Sequence, residues 1–173
     1  MQKINYWLNS LKRILQKTLN NIKMIKEKHI TKPYHKQKKQ WTCLPACIRI
    51  CIELLGKKLG EERIAELCQT TLLGTKPENA EKGIKELGFN CSRITVNLSN
   101  IFDFVSREIP VIIWIYPEYI ENTKTLHLVI VNGYSPKGLV YFDPYRKKEI
   151  VEDYVTFSDK LKKTNNQGMV IWK

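Results

Sequence analysis

Four polar side chains of the types used in covalent catalysis follow one another along the chain. Gln37 lies six residues before Cys43, and His127 and Asp143 come much later. A thiolate attacks carbonyl carbon, an imidazole moves protons, a carboxylate orients that imidazole, and an amide N–H stabilises an oxyanion. Taken singly, Asp143 before Pro144 indicates only a turn, and a lone histidine indicates a packed or surface residue. The ordered set predicts thiol-dependent nucleophilic chemistry.

Cys43 is predicted to lie where a helix begins. Residues 44–55 form an almost wholly apolar run that Gly56 ends, which indicates a buried helix. Pro45 falls in the first turn, where a missing N–H costs little. The N-terminus of a helix offers unpaired N–H groups and a partial positive charge, and both stabilise a thiolate.

His127 and Asp143 are predicted on neighbouring strands. His127 lies near the start of an apolar strand at 126–132, and Asp143 ends the next strand at 139–143. A carboxylate in that position can reach the imidazole N–H and fix its tautomer.

The remaining elements place helices in the first half of the chain and strands in the second. This order indicates an α+β domain. Further helices are predicted after Gly60, from a Thr75–Glu78 capping box to before Gly88, and at 98–107. Further strands are predicted at 89–95, 111–117 and 148–155.

At these residues the chain resembles the papain-like bacteriocin-processing peptidases, of the double-glycine leader type, and their stand-alone relatives. Glutamine, cysteine, histidine and aspartate occur in this order in that family, and the resemblance covers roughly residues 34–172. It implies a papain-like α+β fold, with the nucleophile in an N-terminal helical half and the histidine and aspartate in a C-terminal antiparallel sheet.

The resemblance also implies a role for each residue. It makes the chain a cysteine peptidase that hydrolyses a peptide bond of a peptide or protein through a thioester at Cys43. Gln37 is then the oxyanion donor, His127 the general base and acid, and Asp143 the residue that orients His127. The substrate would be a leader peptide or a protein that is processed for regulation. No cofactor and no metal are expected.

One departure from the family lies beside the nucleophile. The family usually has glycine directly after the cysteine, whereas this chain has Leu44. We therefore predict that Leu44 and Trp41 contact the substrate. Two alternatives stay open: a catalytically silent module that binds a leader peptide or partner, and a deamidase or transpeptidase, which share this set of residues.

The positive charge is concentrated in an N-terminal arm, assigned to residues 1–33 and followed by the domain at 34–173. The whole chain carries +12, yet residues 1–40 contain eleven Lys or Arg and one acid, Glu27. Apolar residues at helical spacing predict a cationic amphipathic helix over 4–25. It would pack on its own domain or a partner, lie on an anionic membrane surface, or act as an autoinhibitory segment.

Nucleic acid is a disfavoured partner, because the arm contains no recognition motif. The longest apolar run, Val111 to Tyr116, is too short to cross a bilayer, and no signal peptide is found. A cytoplasmic protein is expected, with the arm as a means of peripheral attachment at the inner membrane surface. The five cysteines have spacings unlike a disulfide framework or a zinc site, and those other than Cys43 are predicted to be buried thiols.

Overall fold

The computed structural model describes residues 26–117 and 126–173, so the helix predicted at 4–25 lies outside the described residues. The helices in the described part are α1 (Cys43–Leu54), α2 (Glu61–Leu67), α3 (Pro77–Glu86), α4 (Leu98–Ser106) and α5 (Tyr154–Lys163). The strands are β1 (Lys28–His29), β2 (Asn90–Thr95), β3 (Val111–Ile115), β4 (His127–Ser135), β5 (Gly138–Asp143), β6 (Lys148–Glu152) and β7 (Gln167–Trp172).

The strands form one antiparallel sheet with the order β2-β7-β3-β4-β5-β6. β3 pairs with residues 127–131 of β4, and β1 pairs with residues 133–134 of the same strand. β1 therefore continues the edge of β4 that β3 leaves open. The predicted fold class is confirmed: helices come first, and an antiparallel sheet with His127 and Asp143 follows.

Both faces of the sheet are covered, which explains why its central strands are apolar throughout. In β3, Ile112 and Trp114 pack in one hydrophobic cluster with α1, α2 and α3. Val111, Ile113 and Ile115 pack in a second cluster with α4 and α5. Alternate residues of a strand point to opposite faces of the sheet, so a strand between two helical layers has no solvent-exposed face. Each such aliphatic side chain contributes about 1.5–3 kcal/mol when fully buried.

The α1 helix lies in the first cluster and matches its predicted range to within one residue. Nine of its residues are buried. It ends where the chain turns at Gly56, whose φ of +92° is a conformation that glycine adopts without strain. The nucleophile candidate is thus attached to an element that the core holds on nearly every side.

Two local predictions are wrong. The strand expected at 148–155 ends at Glu152, and α5 begins at Tyr154 because the Asp153 side chain accepts hydrogen bonds from the amides of Val155 and Thr156. The capping box expected at Thr75 is also absent, since Lys76 is the N-cap of α3 and the Thr75 hydroxyl bonds to that of Thr70 at 2.7 Å.

Residues 26–39, which we call the strap, pack against the folded body. The amide of Ile30 donates to the carbonyl of Asn132 at 2.7 Å, and both residues are buried. Basic side chains of the strap pair with acids of the body along its length: Lys28–Glu108 at 2.8 Å, Lys32–Glu149 at 2.8 Å, His35–Glu53 at 2.6 Å, and Lys38–Glu62. Part of the N-terminal basic charge is thus matched within the molecule. The division at residues 33 and 34 stays a prediction.

Candidate active site

Cys43 is the first residue of α1, as its sequence context predicts. Its exposed fraction is 9%. The N-cap residue, Thr42, makes no capping bond with its side chain, because its hydroxyl instead accepts from the amide of Lys39 at 3.0 Å and donates to the carbonyl of Lys39 at 2.9 Å. No side chain of the N-cap therefore occupies the amides of the first turn beside the thiol.

His127 and Asp143 form a buried pair. They are the first residue of β4 and the last residue of β5, and Nε2 of His127 lies 2.8 Å from Oδ1 of Asp143. The same oxygen accepts from the amides of Tyr145 at 2.8 Å and Arg146 at 3.3 Å in the turn after Pro144. The carboxyl group is thereby held in one orientation towards the imidazole.

The surroundings of His127 favour the imidazolium. Burial alone would lower its pKa, but hydrogen bonds to Asp143 and to Cys43, together with Coulomb attraction to both, raise the pKa to about 9. The contribution from Cys43 means that the thiol and the imidazole are neighbours. Residues separated by more than eighty positions in the chain thus meet at one point.

Gln37 reaches the same place through its backbone. Its amide N–H donates to the carbonyl of Pro144 at 2.9 Å, directly after Asp143. Its buried side chain turns into its own loop, where Nε2 donates to the carbonyls of Lys39 at 2.8 Å and Gln40 at 3.1 Å. Oε1 has no hydrogen-bond partner among the described residues. The role of Gln37 as an oxyanion donor stays a prediction.

The two residues predicted to contact the substrate have different surroundings. Trp41 is half-buried and lines a cavity of about 370 Å³ together with Thr42, Ala65 and Thr70. Leu44 has an exposed fraction of 1% and packs in the core cluster of α1. The structure thus differs from the prediction for Leu44, because the residue after Cys43 packs in the interface between helix and sheet.

The other cysteines are unsuited to nucleophilic chemistry. Burial raises the pKa of Cys51 and Cys68 to about 12, raises that of Cys47 well above its ordinary value, and also raises that of Cys91. The Cys47 thiol donates to the carbonyl of Leu128 at 3.6 Å. No group of three or more potential metal ligands occurs among the described residues.

Sequence reasoning missed two residues beside the site. Tyr145 stacks edge-on against His127, with ring centroids 6.4 Å apart. Glu61, the first residue of α2, is buried and accepts a hydrogen bond from the amide of Lys38 at 2.8 Å. No local pattern indicates either contact, because both join segments that are distant in the chain.

A cysteine at the start of a buried helix, beside a histidine and an aspartate from two adjacent antiparallel strands, defines the papain-like class of cysteine peptidase folds. The chain belongs to the Peptidase C39 family, whose model matches residues 31–162. The resemblance inferred from the sequence is thereby confirmed.

Solved structures share this fold at low sequence identity. The peptidase domain of Streptococcus ComA, a bifunctional ABC transporter involved in quorum sensing, matches with a TM-score of 0.68 and 20% identity, over 83% of this chain and 98% of that one. A double-glycine-motif protease from an AMS/PCAT transporter, in complex with the leader peptide, matches with a TM-score of 0.67 and 15% identity, over 84% of this chain and 94% of that one.

A C39-like peptidase from Bacillus anthracis matches with a TM-score of 0.69 and 12% identity, over 86% of this chain and 98% of that one. At these identities the likeness concerns the fold alone. None of the curated proteins matches the chain. No helix in the described part of the chain is long and apolar enough to cross a membrane.

Proposed function

We propose that the chain is a cysteine peptidase that cleaves a peptide bond through an acyl-enzyme at Cys43. One observation carries the proposal: a buried Asp143 holds His127 beside the thiol and keeps the pKa of His127 at about 9. At neutral pH the imidazole then holds a proton, and the thiol that supplies it becomes the nucleophile.

The reaction follows from this pairing. The sulfur of Cys43 attacks the carbonyl carbon and forms a tetrahedral oxyanion. The imidazolium of His127 then protonates the leaving amine as the C–N bond breaks, which leaves a thioester. A water molecule gives a proton to His127 and attacks the thioester, and the C–S bond breaks to release the acid and the Cys43 thiolate, which restores the pair with the imidazolium. Asp143 fixes the orientation of the imidazole throughout and is itself unchanged.

The backbone N–H of Cys43 and one N–H of Gln37 are the proposed oxyanion donors. Nε2 of Gln37 makes its longer bond, 3.1 Å, to the carbonyl of Gln40. We propose that this bond is exchanged for the oxyanion when substrate binds. The buried position of the side chain and the bond from its backbone to Pro144 support this assignment.

The proposed substrate is a peptide with a double-glycine sequence before the cleaved bond. Family membership supports this class, as does the fold shared with a double-glycine-motif protease whose structure contains a leader peptide. The cavity beside Trp41 adjoins the first turn of α1 and is a suitable place for a substrate side chain. Residues 1–25, the part of the 1–33 arm that precedes the strap, are proposed to dock on a membrane surface or a partner and hold the domain at the cytoplasmic side.

The test compares wild type with Cys43→Ala and His127→Ala on a fluorogenic peptide that carries Gly-Gly before a coumarin amide. Both substitutions should lower kcat/KM by about 10³-fold or more, because each removes a reacting group. Cys91→Ala is the control, since the half-buried Cys91 lies on β2, away from the site. Mass spectrometry of new termini in a lysate would then identify natural substrates. Full activity of Cys43→Ala would refute the proposal.

A silent module that binds a leader peptide is the second candidate. Both hydrogen bonds that Gln37 donates from its side chain stay within its own loop, and this arrangement favours it. Such a protein would bind the Gly-Gly peptide without cleaving it, and Cys43 would react slowly with iodoacetamide near neutral pH. Rapid alkylation together with cleavage would exclude it.

A further inference from the structure

We propose that Glu61 is a positioning residue for the 37–42 loop, and that it sets the place of Gln37 through the backbone of Lys38. This inference rests on the proposed function, because it assigns Glu61 an effect on oxyanion stabilisation. Glu61 also lines the cavity beside Trp41, but its side chain is buried, and in this scheme it acts through the Lys38 amide. It acts on the loop that carries one oxyanion donor and leads into the nucleophile.

The 37–42 loop is attached to both halves of the molecule by consecutive peptide groups. The amide of Gln37 donates to the carbonyl of Pro144 at 2.9 Å, in the turn that carries Asp143. The next amide, that of Lys38, donates to Oε1 of Glu61 at 2.8 Å, at the start of α2. The loop therefore spans the gap between sheet and helices, and each amide fixes it to one side.

The rest of the loop is held from within. The amide of Lys39 donates to the Thr42 hydroxyl, and the amide of Thr42 donates to the carbonyl of Lys39 at 3.2 Å. These bonds fix the conformation of residues 39–42. The Gln37 side chain donates to two carbonyls of this segment, those of Lys39 and Gln40. On the helical side, the loop runs into α1 at Cys43, and its Lys38 end is held to α2 by the buried acceptor of Glu61 and by the exposed Lys38–Glu62 ion pair.

The burial of Glu61 indicates that a purely structural role is not enough. Its exposed fraction is 1%, and Oε2 has no hydrogen-bond partner among the described residues. A buried carboxyl group with an unsatisfied oxygen is costly, and an apolar side chain would pack in its place at less expense. Only an acceptor, however, satisfies the Lys38 amide. The charge of Glu61 also contributes to the raised pKa of Cys47, one turn beyond the nucleophile.

The experiment compares Glu61→Leu, which removes the acceptor, with Glu61→Gln, which keeps it. Three quantities are measured: kcat and KM on the Gly-Gly coumarin peptide, the rate of Cys43 alkylation by chloroacetamide, and amide hydrogen exchange of residues 37–42. Alkylation needs the Cys43 thiolate but no oxyanion donor. A variant that only displaces the 37–42 loop should therefore keep its alkylation rate, whereas a variant that disrupts the whole site should lose it. If Glu61→Leu fails to fold, Glu61→Met is judged by the same criteria.

Glu152→Gln is the control for simple destabilisation. Glu152 is also a largely buried acid with one unpartnered oxygen, and it pairs with Lys160. It lies opposite Leu139, at the end of β5 away from Asp143. This variant should lower the unfolding temperature and leave kcat unchanged.

For Glu61→Leu we expect kcat to fall about 10- to 100-fold, towards the loss seen when an oxyanion donor is removed. KM and the alkylation rate should stay within about twofold, amide protection of residues 37–42 should fall, and Glu61→Gln should behave as wild type.

Any one of four results would overturn the inference. For Glu61→Leu these are an unchanged kcat, unchanged amide protection of residues 37–42, or an equal loss of alkylation and turnover. The fourth is a Glu61→Gln variant that is no more active than Glu61→Leu. If the wild type itself does not cleave the peptide, the peptidase proposal fails, and the exchange measurement alone still decides whether Glu61 positions the loop.

Discussion

The imidazole of His127 is the side chain whose titration determines the pH range of the proposed reaction. Its pKa is about 9, against an ordinary value of 6.5, because bonds to Asp143 and Cys43 outweigh the effect of burial. The kcat/KM of the wild type should therefore fall as the pH rises, with an apparent pKa near 9. A pH–rate profile measures this value directly.

Asp143→Asn is the matched change for the pH profile. It keeps the shape of the side chain but removes the charge, so the alkaline limb should move to lower pH and kcat should fall by roughly 10²- to 10⁴-fold. An alkaline limb that stays near 9 in this variant would contradict the assignment of Asp143 as the partner of His127.

The same pKa has a consequence for stability. The folded pKa of His127 lies above its ordinary value of 6.5, so proton binding favours the folded state. This contribution is complete below about pH 6.5 and is lost as the pH rises through about 9. The difference in unfolding free energy between wild type and His127→Gln should follow that pH dependence in urea titrations.

The four candidate residues could be predicted at the residue scale because their types are rare and their order is informative. The contact between His127 and Asp143 followed from their predicted strands, but the partners of Gln37 and its loop could not be predicted. The bond from Gln37 to Pro144 and that from Lys38 to Glu61 join segments that only the tertiary fold brings together. The burial of Leu44 was also missed, because the direction of a side chain at the first turn of a helix depends on what that helix packs against.

At the scale of elements, β1 depends on a glycine of the strand beside it. A Cβ atom at Gly133 would lie 2.8 Å from the backbone oxygen of Lys28. Contacts this short force the backbone to move, so Gly133→Ala should displace β1 and lower the free energy of unfolding by about 1–3 kcal/mol. Chemical denaturation, with hydrogen exchange of the Ile30 amide, measures both effects.

Gly60→Ala is the control for that substitution. Its Cβ would meet only the Glu62 side chain, at an ordinary 3.5 Å. Equal destabilisation by the two substitutions would contradict the close packing of β1 on Gly133.

Elements with clear periodicity and clear ends were the ones that sequence could locate. α1 combines a long apolar run with a terminal glycine, and β5 is an apolar run between turn residues. β4 was located by its apolar run, but it continues through Asn132 and Gly133 to Ser135 instead of ending at residue 132. The Asp153 cap of α5 was obscured, because Ile150, Val151 and Val155 make residues 148–155 look like one strand. The packing of the strap could not be predicted for a similar reason, since the acids that pair with Lys28, Lys32 and Lys38 lie far away in the chain.

The buried end of the strap should determine how much of the N-terminus can be removed. Deletion of residues 1–25 leaves β1 intact, and that protein should unfold at nearly the wild-type temperature. Deletion of residues 1–33 also removes Ile30 and Lys32, and leaves Glu149 without its buried partner. The second protein should unfold at least several degrees lower or fail to fold, as circular dichroism would measure. Equal stability of the two would show that the strap contributes nothing.

At the scale of the whole molecule, basic charge is concentrated at the N-terminus, where residues 1–40 contain eleven Lys or Arg and one acid. The full-length chain should bind vesicles that contain anionic lipid, and this binding should weaken in 0.5 M salt, since each basic residue near the surface contributes about 1 kcal/mol. The protein that lacks residues 1–25 is the comparison, and a sedimentation assay measures the bound fraction. Equal binding by both proteins would place the contact elsewhere, and salt-sensitive affinity for duplex DNA would point to nucleic acid.

The position of β7 in the sheet has a consequence for when the proposed protease can become active. This strand lies between β2 and β3, so that β2 joins the sheet only through residues 167–172. A chain emerging from the ribosome contains Cys43, His127 and Asp143 well before those residues, yet its sheet has a gap in the middle. Pairings between such distant segments form late in folding. We therefore expect the proposed protease to become active only once β7 has closed this gap, so a chain that ends at residue 166 should not cleave the peptide.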